Sequence, residues 1–159
     1  MSFDYHEVKA LSQRLDKAIN DDEFMMNAMN KVTLSYVKQI KAATPVGQYG
    51  NSVSFTTRDG KYVSFSVHSN RVGGKLRRSW RKKGIVRSGN QITSTVINSV
   101  KYASWVNNGH RLVNRAGKTV GWVEGQKFVE KTEKAFEPHM ESILEKEFEN
   151  FLKELGFDG

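Results

Sequence analysis

Apolar residues recur every three or four positions at the two ends of the chain and every second position in its middle. Val8, Leu11, Leu15 and Ile19, then Met25, Met29, Val32, Tyr36 and Ile40, keep to one helical face. Between the two runs, Asn20 and the acids Asp21, Asp22 and Glu23 offer an N-cap and first-turn negative charge. The pattern predicts one long helix kinked near residue 21, or two helices, ending before Pro45 because the residue preceding a proline is pushed out of the α region. Met25, Met26 and Met29 read as core filling. At the other end, Phe128, Thr132, Phe136, Met140, Ile143, Phe148, Phe151 and Leu155 predict a final helix from about Lys127, kinked at Pro138. Glu130 stands four residues before Lys134 and Glu149 four before Lys153 on its polar face. Gly156 is placed to cap that helix, with Phe157 folding back.

The middle alternates. Val53, Phe55 and Thr57 interleave with Ser52, Ser54 and Thr56, and Tyr62 to His68 alternate in the same way. Asp59-Gly60 between them is a preferred pair for a two-residue hairpin turn. This hairpin has few apolar residues and is expected to be peripheral or covered by a partner. A second hairpin is expected from Gly84–Arg87 and Gln91–Val100 around Ser88-Gly89-Asn90, with the β-branched run from Ile92 to Ile97 as its firmest strand. Tyr102 to Val106 reads as a short helical turn ending in Asn107-Asn108-Gly109, where Asn and Gly can supply positive φ. Residues 107–121 read as a long basic loop, and Gly121 to Gln126 as a short extended piece. Helix, β-rich middle, helix is an α+β order: an antiparallel sheet covered on one face by a long N-terminal helix, straight or kinked, and a C-terminal helix. At 159 residues the chain is expected to form a single domain, 1–159.

Charge sharpens this outline. The formal net charge of +8 is the sum of three unequal parts. Residues 1–43 hold six bases and six acids; residues 44–129 hold fifteen bases against Asp59 and Glu124, or +13; residues 130–159 hold four bases and nine acids, or −5. A positive middle and a negative tail can complement each other between copies, and such complementarity fixes partner choice and register. The densest basic run follows Gly73-Gly74, with eight Lys or Arg and no acid between Arg71 and Arg87. There, Arg77, Arg78, Lys82 and Lys83 flank Trp80.

Little in the sequence suggests catalysis. Cysteine is absent, which excludes disulfides and thiolate chemistry. His6, His68, His110 and His139 share no metal-binding spacing. Asp59 and Glu124 are the only carboxylates of the middle, and neither a nucleophile elbow nor a phosphate-binding glycine loop occurs. The expectation is a non-enzyme without metal or cofactor. No apolar run is long enough for a membrane span, and the N-terminus lacks the features of a secretory signal.

Four motifs fall in order: Thr44-Pro45-Val46 after a long helix; Gly74-Lys75-Leu76-Arg77-Arg78-Ser79-Trp80; Tyr102-Ala103-Ser104-Trp105-Val106-Asn107-Asn108-Gly109-His110-Arg111; and Gly125-Gln126-Lys127-Phe128 opening the last helix. Their succession, over about residues 25–140, resembles the tail-component family of tailed bacteriophages. These are tail-completion, tail-terminator or head–tail joining proteins, typified by gene product ten of a lambdoid long-tailed phage. The resemblance implies a small α+β subunit assembling as a ring, a hexamer, at the head-proximal end of the tail. Its partners would be copies of itself, tail tube and sheath proteins and the head-completion or connector proteins of the neck, with DNA passing through the channel and no membrane. Its place would be the virion's tail neck, after assembly in the bacterial host cytoplasm. Many members pass from Thr-Pro-Val to Leu-Arg-Arg-Ser-Trp within a shorter connection. The hairpin insertion at 52–68 makes this chain look more like the versions of contractile tails.

Candidate assembly residues follow from the basic run and its continuation: Leu76 and Trp80 as anchors, with Arg77, Arg78, Lys82 and Lys83 as orienting charges. Arg77 and Arg78 are expected to pair with acids of the C-terminal helix of the same or the next subunit. Trp105, Arg111, Arg115, Lys118 and Trp122 are the further candidates around the predicted loop. The alternative is a DNA- or RNA-binding module that holds phosphates with the bases of residues 71–87 and stacks a base on Trp80.

Overall fold

The computed structural model describes Lys9, Ser12, Gln13, Asp16 and residues 22–47, 52–56, 60–66 and 73–156. The Val8–Ile19 stripe, the kink near residue 21 and the fold-back of Phe157 lie outside the described residues. The architecture is α+β, in the order expected. A long helix α1 (Asp22–Ala43) is followed by strands β1 (Ser52–Thr56) and β2 (Tyr62–Ser66), then a single helical turn α2 (Lys75–Arg78). Next come β3 (Trp80–Ser88), β4 (Gln91–Asn98), a short helix α3 (Ala103–Asn108), β5 (Gly109–Val113) and β6 (Thr119–Glu124). Helix α4 (Phe128–Glu154) completes the chain and continues on both sides of Pro138, which has no N–H for the carbonyl four residues earlier. Among the described residues the β structure is divided into three two-stranded ribbons, β1–β2, β3–β4 and β5–β6.

β1 and β2 are antiparallel, with Val53 opposite Phe65, Phe55 opposite Val63, and Thr56 opposite Tyr62. Thr56 and Tyr62 are thus separated by residues 57–61, an odd number, and a two-residue Asp59-Gly60 turn does not fit this register. Such a turn would shift the pairing by one and set every apolar position opposite a serine or threonine; side-chain alternation has period two, so a one-residue slip exchanges the faces. The register sets apolar positions opposite one another, and residues 57–59 lie outside the described residues.

The expected basic loop at 107–121 is corrected more fully. β5 and β6 pair antiparallel from Gly109↔Glu124 through Leu112↔Gly121 to Val113↔Thr119, and Val120 is the extra residue of a bulge. The tip is held by Asn114: its Oδ1 accepts from the backbone N–H groups of Ala116 and Lys118, and its own N–H donates to Lys118 O. Gly117 completes the turn at φ 75°. Before this ribbon, Asn107 and Asn108 are helical, and positive φ falls on Gly109 alone of the three.

The chain divides into two compact units. One comprises Met1–Tyr36, Lys82–Val96 and Ala135–Gly159. Its buried apolar residues are Ala28, Val32 and Phe136, with the Tyr36 and Phe136 rings edge to face at 5.2 Å. The Phe24 and Phe151 rings stack at 4.1 Å. The Thr33 hydroxyl, also buried, bonds to Met29 O and Ser94 Oγ. Met25 is exposed, and Met26 and Met29 are half-buried, so the helical stripe is rotated from the methionines toward Ala28 and Thr33. A purely apolar pattern misses that rotation because small residues allow close approach and a buried hydroxyl can satisfy itself on the carbonyl one turn back. The second unit comprises Val37–Arg81 and Ile97–Lys134, with Val37, Ile40, Leu76, Val100 and Phe128 buried.

Two polar clasps and an exposed ribbon

The first clasp closes on Thr44, which is fully buried where α1 ends. Its N–H and its hydroxyl both donate to Ile40 O, a last-turn carbonyl that would otherwise be unpaired. The same hydroxyl accepts from Trp80 Nε1 at 2.8 Å, and Thr44 O accepts from Arg77 Nε at 3.0 Å and Nη2 at 2.8 Å. A guanidinium is well suited to this position: it forks onto one carbonyl and puts positive charge at the negative end of a helix. Trp80 also meets Phe128 edge to face at 6.4 Å. Nearby, Asn98 Nδ2 donates to Leu76 O while its Oδ1 accepts from Val100 N–H. The glycines before α2 are required by space: a Cβ on Gly73 would meet Gly47 O at 2.1 Å, and Gly74 lies at φ 90°.

The second clasp closes on Asn107, buried in α3. Its Oδ1 caps α4 by accepting from Val129 N–H, and its Nδ2 donates to Glu130 Oε2 and Asn108 Oδ1. Val106 O and Asn107 O accept from the N–H groups of Gln126 and Lys127. Lys127 takes φ 52° to make this turn, and Gly125 passes so close that a Cβ would lie 2.3 Å from Asn107 O. Glu130 is committed here, with Lys127 Nζ 3.8 Å away, instead of to Lys134 as its spacing suggested. Its carboxyl is held below the ordinary glutamate value first by its own backbone N–H, free in the first helical turn, then by Asn107 and the nearby Lys127 charge.

The first clasp absorbs three of the eleven expected site residues. Leu76 is buried, and Arg77 and Trp80 point their polar atoms at Thr44. Arg78 bonds to Gly73 O, so within one copy both arginines hold backbone carbonyls of their own chain. Lys82 and Lys83 are exposed on β3, with Lys82 Nζ donating to Asn30 Oδ1. The strand that carries them begins at Trp80, four residues before the expected start at Gly84.

The remaining candidates come together. Trp105 is 58% exposed, with its ring over His110 at 5.9 Å, and Trp122 is 56% exposed, opposite Arg111 in register. Leu112, Val113, Val120 and Val123 add exposed apolar surface, and Arg115 and Lys118 lie in the tip. These four aliphatic residues were missed by sequence reading; their signal was an apolar pair before Asn114 and an apolar trio after Lys118. No group of three or more potential metal ligands occurs among the described residues. No helix among them is long and apolar enough to cross a membrane.

The chain thus combines two polar clasps closed by its own groups with a ribbon that exposes apolar and basic side chains. The chain belongs to the family described as "Bacteriophage HK97-gp10, putative tail-component", whose model matches residues 9–109. That range contains the whole Thr44–Arg77–Trp80 clasp and the Asn107 side of the second. The chain is thus a bacteriophage tail component with a structural role, part of the virion and assembling with other virion proteins. No curated protein and no solved structure matches the chain.

Proposed function

We propose that the protein is a ring-forming subunit at the head-proximal end of a phage tail, where it terminates the tube and any sheath and joins them to the neck. The observation that carries this reading is the β5–β6 ribbon, which projects large apolar side chains and Arg111, Arg115 and Lys118 from a chain of the tail-component family. Exposed large apolar side chains gathered on one ribbon are candidates for an interaction site. The uneven charge favours contact between unlike surfaces of successive copies, and such head-to-tail contacts make rings when the rotation closes. Catalysis has no role in this reading. Light scattering and negative-stain microscopy of the purified chain test it: rings, or a concentration-dependent equilibrium leading to them, are expected. A particle lacking the protein should yield separate heads and tails; normal joined particles without it would refute the proposal.

A second reading, polyanion binding, draws on Arg81, Lys82 and Lys83, all exposed on β3. It loses its stacking platform, because the Trp80 indole is engaged with Thr44 and Phe128. A monomer with tight, salt-sensitive affinity for oligonucleotides would favour it over the ring.

A further inference from the structure

We infer that the β5–β6 ribbon of one copy seats on a groove lined by the first turns of α1 and the last turns of α4 in the next copy. The groove holds about 370 Å³ and is lined by Glu23, Phe24, Glu147, Asn150, Phe151 and Glu154, among others. Its floor is aromatic, from the stacked Phe24 and Phe151 rings, and its rim carries three acids, of which Glu147 accepts from Lys31 Nζ, the one base in the lining. Along α4 the same stripe continues through Phe148, 43% exposed, and Leu144, 37% exposed. The ribbon has the opposite sign and the same apolar character: Arg111, Arg115 and Lys118 beside Leu112, Val113 and Trp122. Each surface exposes hydrophobic side chains that a single copy leaves in water, and their net charges are of opposite sign even with Lys31 in the groove and Glu124 on the ribbon counted. Another hollow, about 310 Å³ beside Pro45, Gly74 and Tyr102, has Lys75 in its lining and no acid, so it does not complement a basic ribbon.

This inference rests on the ring reading and specifies its contact. A ribbon on one side and a groove on the other make a heterologous pair, which every copy can both offer and receive. Opposite charges at the rim set register and speed of encounter, and salt weakens them.

The test is complementation between two charge-altered chains. Arg115→Glu with Lys118→Glu alters the ribbon; Asn150→Lys with Glu154→Lys alters the groove near the C-terminal end of α4, where lysine suits the helix dipole. Each alone should raise the concentration for half-assembly by about tenfold or more, since like charges brought together cost several kcal/mol and 1.4 kcal/mol is a factor of ten. Mixed, the intact groove of one meets the intact ribbon of the other, and the altered pair is again of opposite sign, so assembly should return toward wild type. Circular dichroism melts matching wild type establish that each altered chain is folded. As an independent measurement, the chain has no cysteine, so mixing Arg115→Cys with Glu154→Cys should give an intermolecular disulfide on mild oxidation. If wild type assembles but the mixture does not recover and no cross-link forms, the ribbon docks elsewhere and the inference is overturned while the ring reading stands. If wild type stays monomeric at every concentration, with and without tail tube protein, the ring reading itself fails. Loss of oligonucleotide affinity in the ribbon variant with assembly unchanged would assign the ribbon to nucleic acid instead.

Discussion

The clasp around Thr44 and the β5–β6 ribbon use the same residue types to opposite ends. In the clasp, Trp80 and Arg77 turn their donors inward, onto the hydroxyl and carbonyl of one buried threonine. On the ribbon, Trp122 and Arg111 are largely in solvent, as is Trp105 in α3 just before it. Tryptophan and arginine beside one another therefore do not identify an interface; what distinguishes the two regions is whether the chain supplies a partner for each donor. At Thr44 it supplies three acceptor interactions, and stability of the single copy should depend on them. On the ribbon most of the apolar surface has no cover, and assembly should depend on it. Substitutions can separate the two roles.

The largest loss of stability is expected at the second clasp. In Gly125→Ala the new Cβ would lie 2.3 to 2.5 Å from backbone atoms of Asn107, Asn108 and Gly109, none of which is the free end of a side chain. We expect destabilisation of about 3 kcal/mol, the upper part of the usual range for overpacking, read as a lowered urea midpoint. Gly84→Ala is the control: nothing lies within 4 Å of its Cβ, so its midpoint should hold or rise slightly. Equal midpoints for the two variants would show that the close approach of Gly125 contributes nothing.

Thr44→Val comes next. It keeps shape and removes the hydroxyl that accepts from Trp80 Nε1, leaving a part-buried donor unpaired at a cost of about 1–3 kcal/mol. Trp80→Phe removes that donor, so the double variant should lose less than the sum of the singles. Additive losses would mean that the two groups are not coupled. The same geometry alters the expectation for Arg77. Charge reversal there would put a carboxylate against Thr44 O and unfold the clasp, so a loss of tail joining would report stability and not docking.

Much of this arrangement was legible in the sequence. Helical and strand periods locate α1, β1, β2, β4 and α4, and the order of four motifs identifies the family. The roles of the motif residues were not legible, because sequence spacing does not reveal that the Thr44 carbonyl, where the helix ends, accepts from Arg77, 33 residues on. Asn107 hid for the same reason: an asparagine before Asn-Gly reads as turn chemistry, yet its side chain caps a helix that begins 21 residues later. The ribbon was read as a loop because Arg111, Arg115 and Lys118 dilute the alternation and the Val120 bulge breaks its period. A register shift is invisible to a two-residue pattern.

Glu130→Gln should have a smaller effect, present at neutral pH and lost in acid. Glu130 titrates lower in the folded chain than as an ordinary glutamate, so the unfolded chain binds its proton first as pH falls. Its contribution is present above the unfolded value of about 4.3 and is lost as pH falls through the lower folded value. The wild-type chain should therefore lose stability more steeply than the glutamine variant below about pH 4.3, and the two curves should converge at lower pH. Parallel curves across that window would show that Glu130 gains nothing from its first-turn N–H and Asn107.

The smallest effect on the single copy is expected at Trp122, although it is among the largest exposed side chains of the ribbon. Its ring touches the chain near Gly109, where a Cβ would lie 3.1 Å from its Cζ2, and otherwise faces solvent. Threonine, like tryptophan, suits a strand, so Trp122→Thr should change stability by about 0.5 kcal/mol or less, as surface changes usually do. Its consequence should appear in light scattering instead, because aromatic side chains are common among the few residues that carry an interface. Trp80→Thr, the same change of residue type in the clasp, should do the reverse at the level of the monomer and lose the folded state first. If Trp122→Thr destabilises the monomer as much as Trp80→Thr, the ribbon is part of the fold's support. If it leaves both midpoint and assembly unchanged, its exposed indole has no partner in the ring, and the contact must rest on the charges of the tip alone.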